Sequence, residues 1–211
     1  MPKIYIATSN PGKLREFRDA AAGLGVVLDS LPGIDTVAQP VEDGATFADN
    51  ARIKAEYYSR LAPDDFVLAE DSGLAVDELD GAPGVYSARY AAMLREGGNH
   101  AAHSNSSDDE NNQALIARLE RLPPGKHAGK YVCVIALAQR EKALNTFLGE
   151  AKGELLTTPR GSGGFGYDPL FYFPSLGRTF AELSLQQKRQ YSHRGQAFRS
   201  FLSWYGQYRN S

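Results

Sequence analysis

The chain has 211 residues, 42% of them hydrophobic, with 23 basic side chains against 25 acidic ones and a formal charge of -2. That length suits a single domain with one sizeable core, and the charge balance excludes a polyelectrolyte footprint for DNA or RNA. The single cysteine, Cys133, lies in the apolar run 131–138, which excludes a disulfide framework and reads as a buried, inert thiol of a reducing cytoplasm. The N-terminal apolar stretch is too short for a signal peptide, and no 18 apolar residues run together, so no membrane partner is expected.

Residues 3–7 predict a short strand, and Ser9, Asn10, Pro11 and Gly12 carry it into a helix over 13–22. Free backbone N–H groups and the positive end of the helix then lie beside the Lys13 ammonium, so Thr8, Ser9, Asn10, Pro11, Gly12 and Lys13 form an anion site in outline. The spacing is not that of a Walker A loop, and Pro11 also has a purely structural use in a first helical turn. A second helix is predicted over 46–61, with Thr46 and Asp49 as a capping box and Phe47, Ala51, Ala55 and Tyr58 as its apolar stripe; Pro63 ends it. Asn50 and Lys54 share a face offset from that stripe, so Lys54 either joins Lys13 as a second cation or is a solvated lysine.

A buried strand is predicted over 66–69, stopping at Glu70, Asp71, Ser72 and Gly73, with another over 74–79 before the turn 80–84. Asp71 would then project at the mouth of a sheet. There it serves as a turn residue or, with Glu42 from the loop 41–44, as a ligand for magnesium, which takes carboxylate and phosphate oxygens while keeping several waters. Residues 97–112 hold few apolar groups and predict a mobile loop. A helix over 113–122 follows, then strands over 131–140 and 146–155, the latter interrupted by Gly149 and Gly153.

Residues 161–169, GSGGFGYDP, match G-x-G-x-x-G but lack the strand before and the helix after that a dinucleotide fingerprint requires. Pro169 and the aromatic run 170–173 instead predict a glycine loop leading into a strand. Phe165, Gly166, Tyr167 and Asp168 would be displayed on thin backbone, open to a stacked nucleobase or simply forming a surface hairpin. Helices are predicted over 180–190 and 192–208, with Lys188, Ser192, His193, Arg194 and Gly195 near their junction. The whole reads as an α/β (α+β) fold around one mixed sheet flanked by helices.

Six blocks resemble, in order, the inosine triphosphate pyrophosphatase family: Thr8-x-Asn10-x-x-Lys13-x-x-Glu16; Glu42-x-Gly44-x-Thr46-Phe47-x-x-Asn50; Asp71-Ser72-Gly73-Leu74; Gly81-x-Pro83-Gly84-x-x-Ser87-Ala88-Arg89-Tyr90; Gly163-Gly164-Phe165-Gly166-Tyr167-Asp168-Pro169; and Ser192-His193-Arg194-Gly195. The resemblance implies a magnesium-dependent hydrolase that converts triphosphates of hypoxanthine and xanthine (ITP, dITP, XTP) to monophosphate and pyrophosphate. It also implies one domain over 1–211 with an elongated mixed sheet, two lobes with the nucleotide between them, and a homodimer. Carried over by residue, it gives phosphate contacts to residues 8–13, metal ligation to Glu42 and Asp71, and the proton-acceptor role to Asp71, with Lys13 beside it. Ser72 would touch the nucleotide, Phe165, Gly166, Tyr167 and Asp168 would hold the base, and Lys188, His193 and Arg194 would complete that site. Asn50 and Lys54 join the substrate contacts by their shared helix face. Glu70 stands where many relatives have aspartate, and the 95–112 segment looks longer than is usual in the family. A pyrophosphatase for other modified nucleotides and a nucleotide sensor without catalysis remain as alternatives; a nicotinamide oxidoreductase is disfavoured by the context of the glycines.

Overall fold

The computed structural model describes residues 3–22, 26–97, 104–125 and 127–208. In chain order it forms β1 (Ile4–Ile6), α1 (Pro11–Ala21), β2 (Leu28–Ser30), α2 (Phe47–Ser59), β3 (Phe66–Val76), α3 (Tyr90–Arg95), α4 (Asp108–Leu119), β4 (His127–Gln139), β5 (Lys142–Leu155), β6 (Phe171–Phe173), β7 (Arg178–Thr179), α5 (Leu185–Tyr191) and α6 (His193–Tyr208). The strands form one sheet in the order β2-β1-β3-β4-β5-β6-β7. β1 is parallel to β2 and β3, whereas β6 is antiparallel to β5 and β7, so the sheet is mixed as expected.

Two compact units divide the chain: Met1–Ser72 with Val132–Glu150 and Arg189–Ser211, and Gly73–Tyr131 with Ala151–Lys188. In the first, strand alternation sorts the core onto two faces. Ile4, Ile6, Phe66, Leu68, Ile135 and Leu137 pack with Phe17 of α1 and Phe198 and Phe201 of α6. Their neighbours Tyr5, Val67, Ala69, Val134 and Ala136 pack with Ala51, Ala55 and Tyr58 of α2. Each fully buried Leu, Ile or Phe contributes about 2 kcal/mol on burial, and covering both faces is what a sheet with parallel strands requires. Gly149 of β5 lets α6 approach: a Cβ there would stand 2.0 Å from the His193 carbonyl oxygen and 2.4 Å from Ala197 N.

The second unit is built on aromatic contacts among Tyr131, Phe171, Phe173 and Phe180, with ring centroids 4.8 to 5.4 Å apart. Asn111 of α4 accepts from Ala91 N at 3.0 Å and donates to the Ala88 carbonyl at 3.2 Å, tying α4 to α3 and the turn before it.

Several elements differ from their sequence reading. The strands predicted over 66–69 and 74–79 are one strand, β3, so Glu70 and Asp71 sit within it rather than at its end. Burial outweighed the turn propensity of Asp71-Ser72-Gly73, and Gly73 is needed for packing: a Cβ would stand 2.3 Å from Ser87 Oγ. The mobile loop assigned to 97–112 is corrected at its C-terminal part. α4 begins at Asp108 because Ser107 and Glu110 form a reciprocal capping box, a spacing hidden in a polar run; residues 98–103 lie outside the described residues. The helix expected over 180–190 divides into a 3-10 turn, Phe180–Glu182, and α5. The short strand β2 and helix α3 carried no distinct periodicity and were not anticipated.

Candidate active site

Glu70 and Asp71 follow one another on β3 and therefore point to opposite faces of it. Asp71 shares the α2 face. Lys54 of α2 places its Nζ 2.8 Å from Asp71 Oδ1 and 2.8 Å from Glu42 Oε2, so both carboxylates named as metal ligands converge on one ammonium. Asn50, one turn earlier on α2, accepts from Gly44 N at 2.8 Å and donates to Asp71 Oδ2 at 3.4 Å. Thr46 sets the start of this helix, its hydroxyl accepting from Asp49 N and donating to the Asp49 carboxylate. Burial raises the Asp71 pKa, against the opposing pull of Lys54. Burial works against the Lys54 charge, but Asp71 and Glu42 outweigh it and raise that pKa.

Glu70 shares the other face, where α1 and α6 pack. Lys13 of α1 reaches its Oε1 at 2.8 Å, and Arg194 of α6 binds it through Nε at 2.8 Å and Nη2 at 3.1 Å. Cys133 Sγ donates at 3.1 Å and Ser72 Oγ at 3.3 Å. Burial opposes the Glu70 charge, but Arg194 and Lys13 hold its carboxyl well below the usual range. Arg194 also donates to Glu16 and, at 3.2 Å, to Ser72 Oγ. Glu70 is thus committed to cations as an anchor for Lys13 and Arg194. Lys13 acts on Asp71 as well, its charge lowering the Asp71 pKa through space.

The strand-to-helix loop corrects one expectation. Asn10 Oδ1 accepts from Gly12 N at 2.8 Å and Lys13 N at 3.1 Å, Leu14 N bonds to the Asn10 carbonyl, and Pro11 has no N–H. The first N–H groups of α1 are therefore satisfied by the loop itself, and the positive character there rests on the helix dipole and the Lys13 ammonium. Thr8 Oγ1 accepts from Asn10 N at 3.2 Å and Ser9 is exposed.

In the second unit, Lys188 Nζ lies 2.5 Å from Asp168 Oδ2, with both side chains buried. Asp168 Oδ2 also accepts from Phe165 N at 3.2 Å and its Oδ1 from Tyr131 OH at 3.3 Å. Burial, and then the Asp168 charge, push the Tyr131 pKa well up. Gly164 must be glycine, since its φ is +81° and a Cβ would stand 2.0 Å from Asp168 Oδ2. The Gly166 peptide is held from both sides, its N–H by Asp108 at 2.7 Å and its carbonyl by Asn112 at 3.1 Å. Tyr167 is not displayed: it is 3% exposed and its OH donates to the Ser87 carbonyl at 2.8 Å. Phe165 is half-buried. His193 opens α6 in the first unit and is buried.

Among the described residues no three His, Cys, Asp or Glu side chains gather as a metal cage. The Glu42 and Asp71 pair nevertheless fits magnesium, which is held by one or two carboxylates together with substrate phosphates and water.

Residues 4–204 match the Ham1 family model. The chain belongs to the Ham1 family. A Ham1 relative from Acidobacterium capsulatum, named dITP/XTP pyrophosphatase, is 46% identical over 201 residues, 95% of this chain and 96% of its own. One of the same name from Thermus thermophilus is 43% identical over 96% of this chain and 91% of its own. The solved structure of a HAM1 protein from Coxiella burnetii superposes with a TM-score of 0.81 at 36% identity, covering 98% of this chain and all of that one.

Within this Ham1 chain, the sequence did not point to Glu16 and Cys133 in the first unit's cluster, nor to Tyr131, Asp108 and Asn112 around Asp168 and Gly166 in the second. The three-residue spacing of Lys13 and Glu16 was a usable signal. For Cys133, an apolar run gave no sign of a carboxylate beside it.

Proposed function

We propose that this chain hydrolyses ITP, dITP and XTP to the nucleoside monophosphate and pyrophosphate, clearing deaminated purines from the nucleotide pool, with magnesium as cofactor. Family membership supports the reaction class, and the observation that carries the assignment is the meeting of Glu42, Asp71 and Lys54 beside Glu70-bound Lys13. Magnesium, when held by Glu42 and Asp71, supplies positive charge to the phosphate oxygens.

Water attacks the α-phosphorus and pyrophosphate leaves. Asp71 orients that water and accepts its proton. Lys13 and Lys54 stabilise the charge that accumulates on the phosphate oxygens. Thr8, Ser9, Asn10, Pro11 and Gly12 shape the loop that presents Lys13, and Ser72 lies against the nucleotide.

Phe165 stacks on the base, and the Asp168 and Lys188 pair reads its edge. Lys188 spends one N–H on Asp168 and has others to offer a carbonyl. Hypoxanthine and xanthine carry oxygen at C6, which accepts such a donor, while the adenine amine leaves it unpaired. Unpaired buried donors discriminate on the order of 10⁴-fold. Arg194 and His193 act from the start of α6, Arg194 through Glu70, Glu16 and Ser72.

Residues 1–211 act as a single domain in two lobes and as a homodimer of the reducing cytoplasm; the buried single thiol supports that compartment. Among the described residues no helix is long and apolar enough to cross a membrane. Pyrophosphate release from ITP, dITP, XTP, ATP and GTP, with and without magnesium, tests the reading. Equal cleavage of ATP and ITP would overturn the base assignment, and binding without pyrophosphate release would make the chain a nucleotide sensor.

A further inference from the structure

Asn50 is 1% exposed, and both ends of its side-chain amide are engaged. The Gly44 backbone N–H can only donate, so its 2.8 Å bond to Oδ1 fixes which way the amide is turned and directs the NH2 toward Asp71 Oδ2, 3.4 Å away. Gly44 closes the contact from the other side. A Cβ there would stand 2.7 Å from Asn50 Oδ1 and 2.6 Å from Asp49 Cβ, so the loop meets α2 this closely only because residue 44 has no side chain. Glu42 lies two residues earlier on the same loop, and Lys54, one helical turn after Asn50, holds Glu42 and Asp71 together.

We propose that Asn50 is a positioning residue: it ties the loop carrying Glu42 to the strand carrying Asp71 and so presets the two carboxylates for a divalent cation. This rests on the magnesium reading above and deepens it, replacing the direct substrate contact suggested by the spacing along α2. A carboxylate on an untethered loop has to be ordered each time a cation binds, whereas a tethered one is already in place. Residues that orient metal ligands in this way typically carry 10- to 100-fold of the metal affinity.

The test is Mn²⁺ titration of the full chain, followed by the loss of the free-ion EPR signal, for wild type, Asn50→Ala and Gly44→Ala, with circular dichroism reporting the fold. Both variants should bind Mn²⁺ about 10- to 100-fold more weakly, and their deficit in ITP hydrolysis should shrink as magnesium is raised, a rescue that a merely structural role would not give. Wild-type Mn²⁺ affinity in the folded variants, or a deficit independent of magnesium concentration, would overturn the proposal. Should Asn50→Ala fail to fold, Gly44→Ala decides the question by the same readouts. A wild-type chain that binds no Mn²⁺ and hydrolyses ITP equally well with and without magnesium would overturn the magnesium reading itself, and the tether with it.

Discussion

Glu70 and Asp71 are consecutive on β3 yet work on opposite faces of it, Glu70 holding Lys13 of α1 and Arg194 of α6, Asp71 holding Lys54 of α2. A pair that reads in the sequence as two neighbouring acids is, in the fold, split between two cation partnerships, and the proposed function gives the reactive part to Asp71 alone.

The two should separate on substitution. Asp71→Asn keeps the side chain's size but removes the proposed proton acceptor, so ITP turnover should fall by about 10²- to 10⁴-fold in the folded variant, Glu42 remaining to pair with Lys54. Glu70→Gln leaves the buried Arg194 with Glu16 as its remaining carboxylate and Lys13 with no carboxylate partner among those described above, and should cost about 3 kcal/mol in denaturant unfolding. Wild-type turnover in Asp71→Asn would remove that residue from the chemistry.

Lys54→Met leaves Glu42 and Asp71 facing each other without their shared cation. Steady-state assays with ITP should show kcat lower by about 10²-fold or more, the scale of losing one group that stabilises transition-state charge. Wild-type kcat would leave Lys54 as a structural tie between the two carboxylates.

Gly164→Ala should disturb the proposed base site at Asp168 and Lys188 and leave the Lys13 and Lys54 ion pairs intact. Its Cβ would press on Asp168 Oδ2 at 2.0 Å and Lys188 Nζ at 2.6 Å, so the expected result is a raised KM for ITP and a narrower gap between ITP and ATP in competition assays.

Acid should loosen the start of α4. The Ser107 backbone, then Arg95, lower the pKa of Glu110 to about 2, so its cap is fully present above the ordinary value of 4.5 and is lost as pH falls toward 2. Thermal unfolding of Glu110→Gln against wild type should show a gap at pH 6 that narrows below pH 4.5. A gap constant with pH would remove the charge from the cap.

Cys133 should resist iodoacetamide at pH 8 in the native protein and react once it is unfolded. Burial and then the Glu70 charge push its thiol well up, and only the thiolate is nucleophilic. Rapid native alkylation, read by mass spectrometry, would contradict the burial.

Local chemistry was legible in the sequence. Asn10 with Pro11 and Thr46 with Asp49 mark helix starts because capping depends on residues a few positions apart, and the ordered blocks from Thr8 to Gly195 carry the family and its reaction class. Asp71, Glu42 and Lys54 could be named from their residue types and neighbours. What only the tertiary structure decided was their partners. The face that Glu70 takes depends on β3 running unbroken through Asp71-Ser72-Gly73, and that continuity comes from long-range pairing and burial, not from local propensity. In the same way Cys133 meets Glu70, Tyr167 meets Ser87, and Asp108 and Asn112 hold Gly166, each across tens of residues of chain. Sequence spacing sets which groups can share a helix face or strand face; only the packed sheet determines which of them meet.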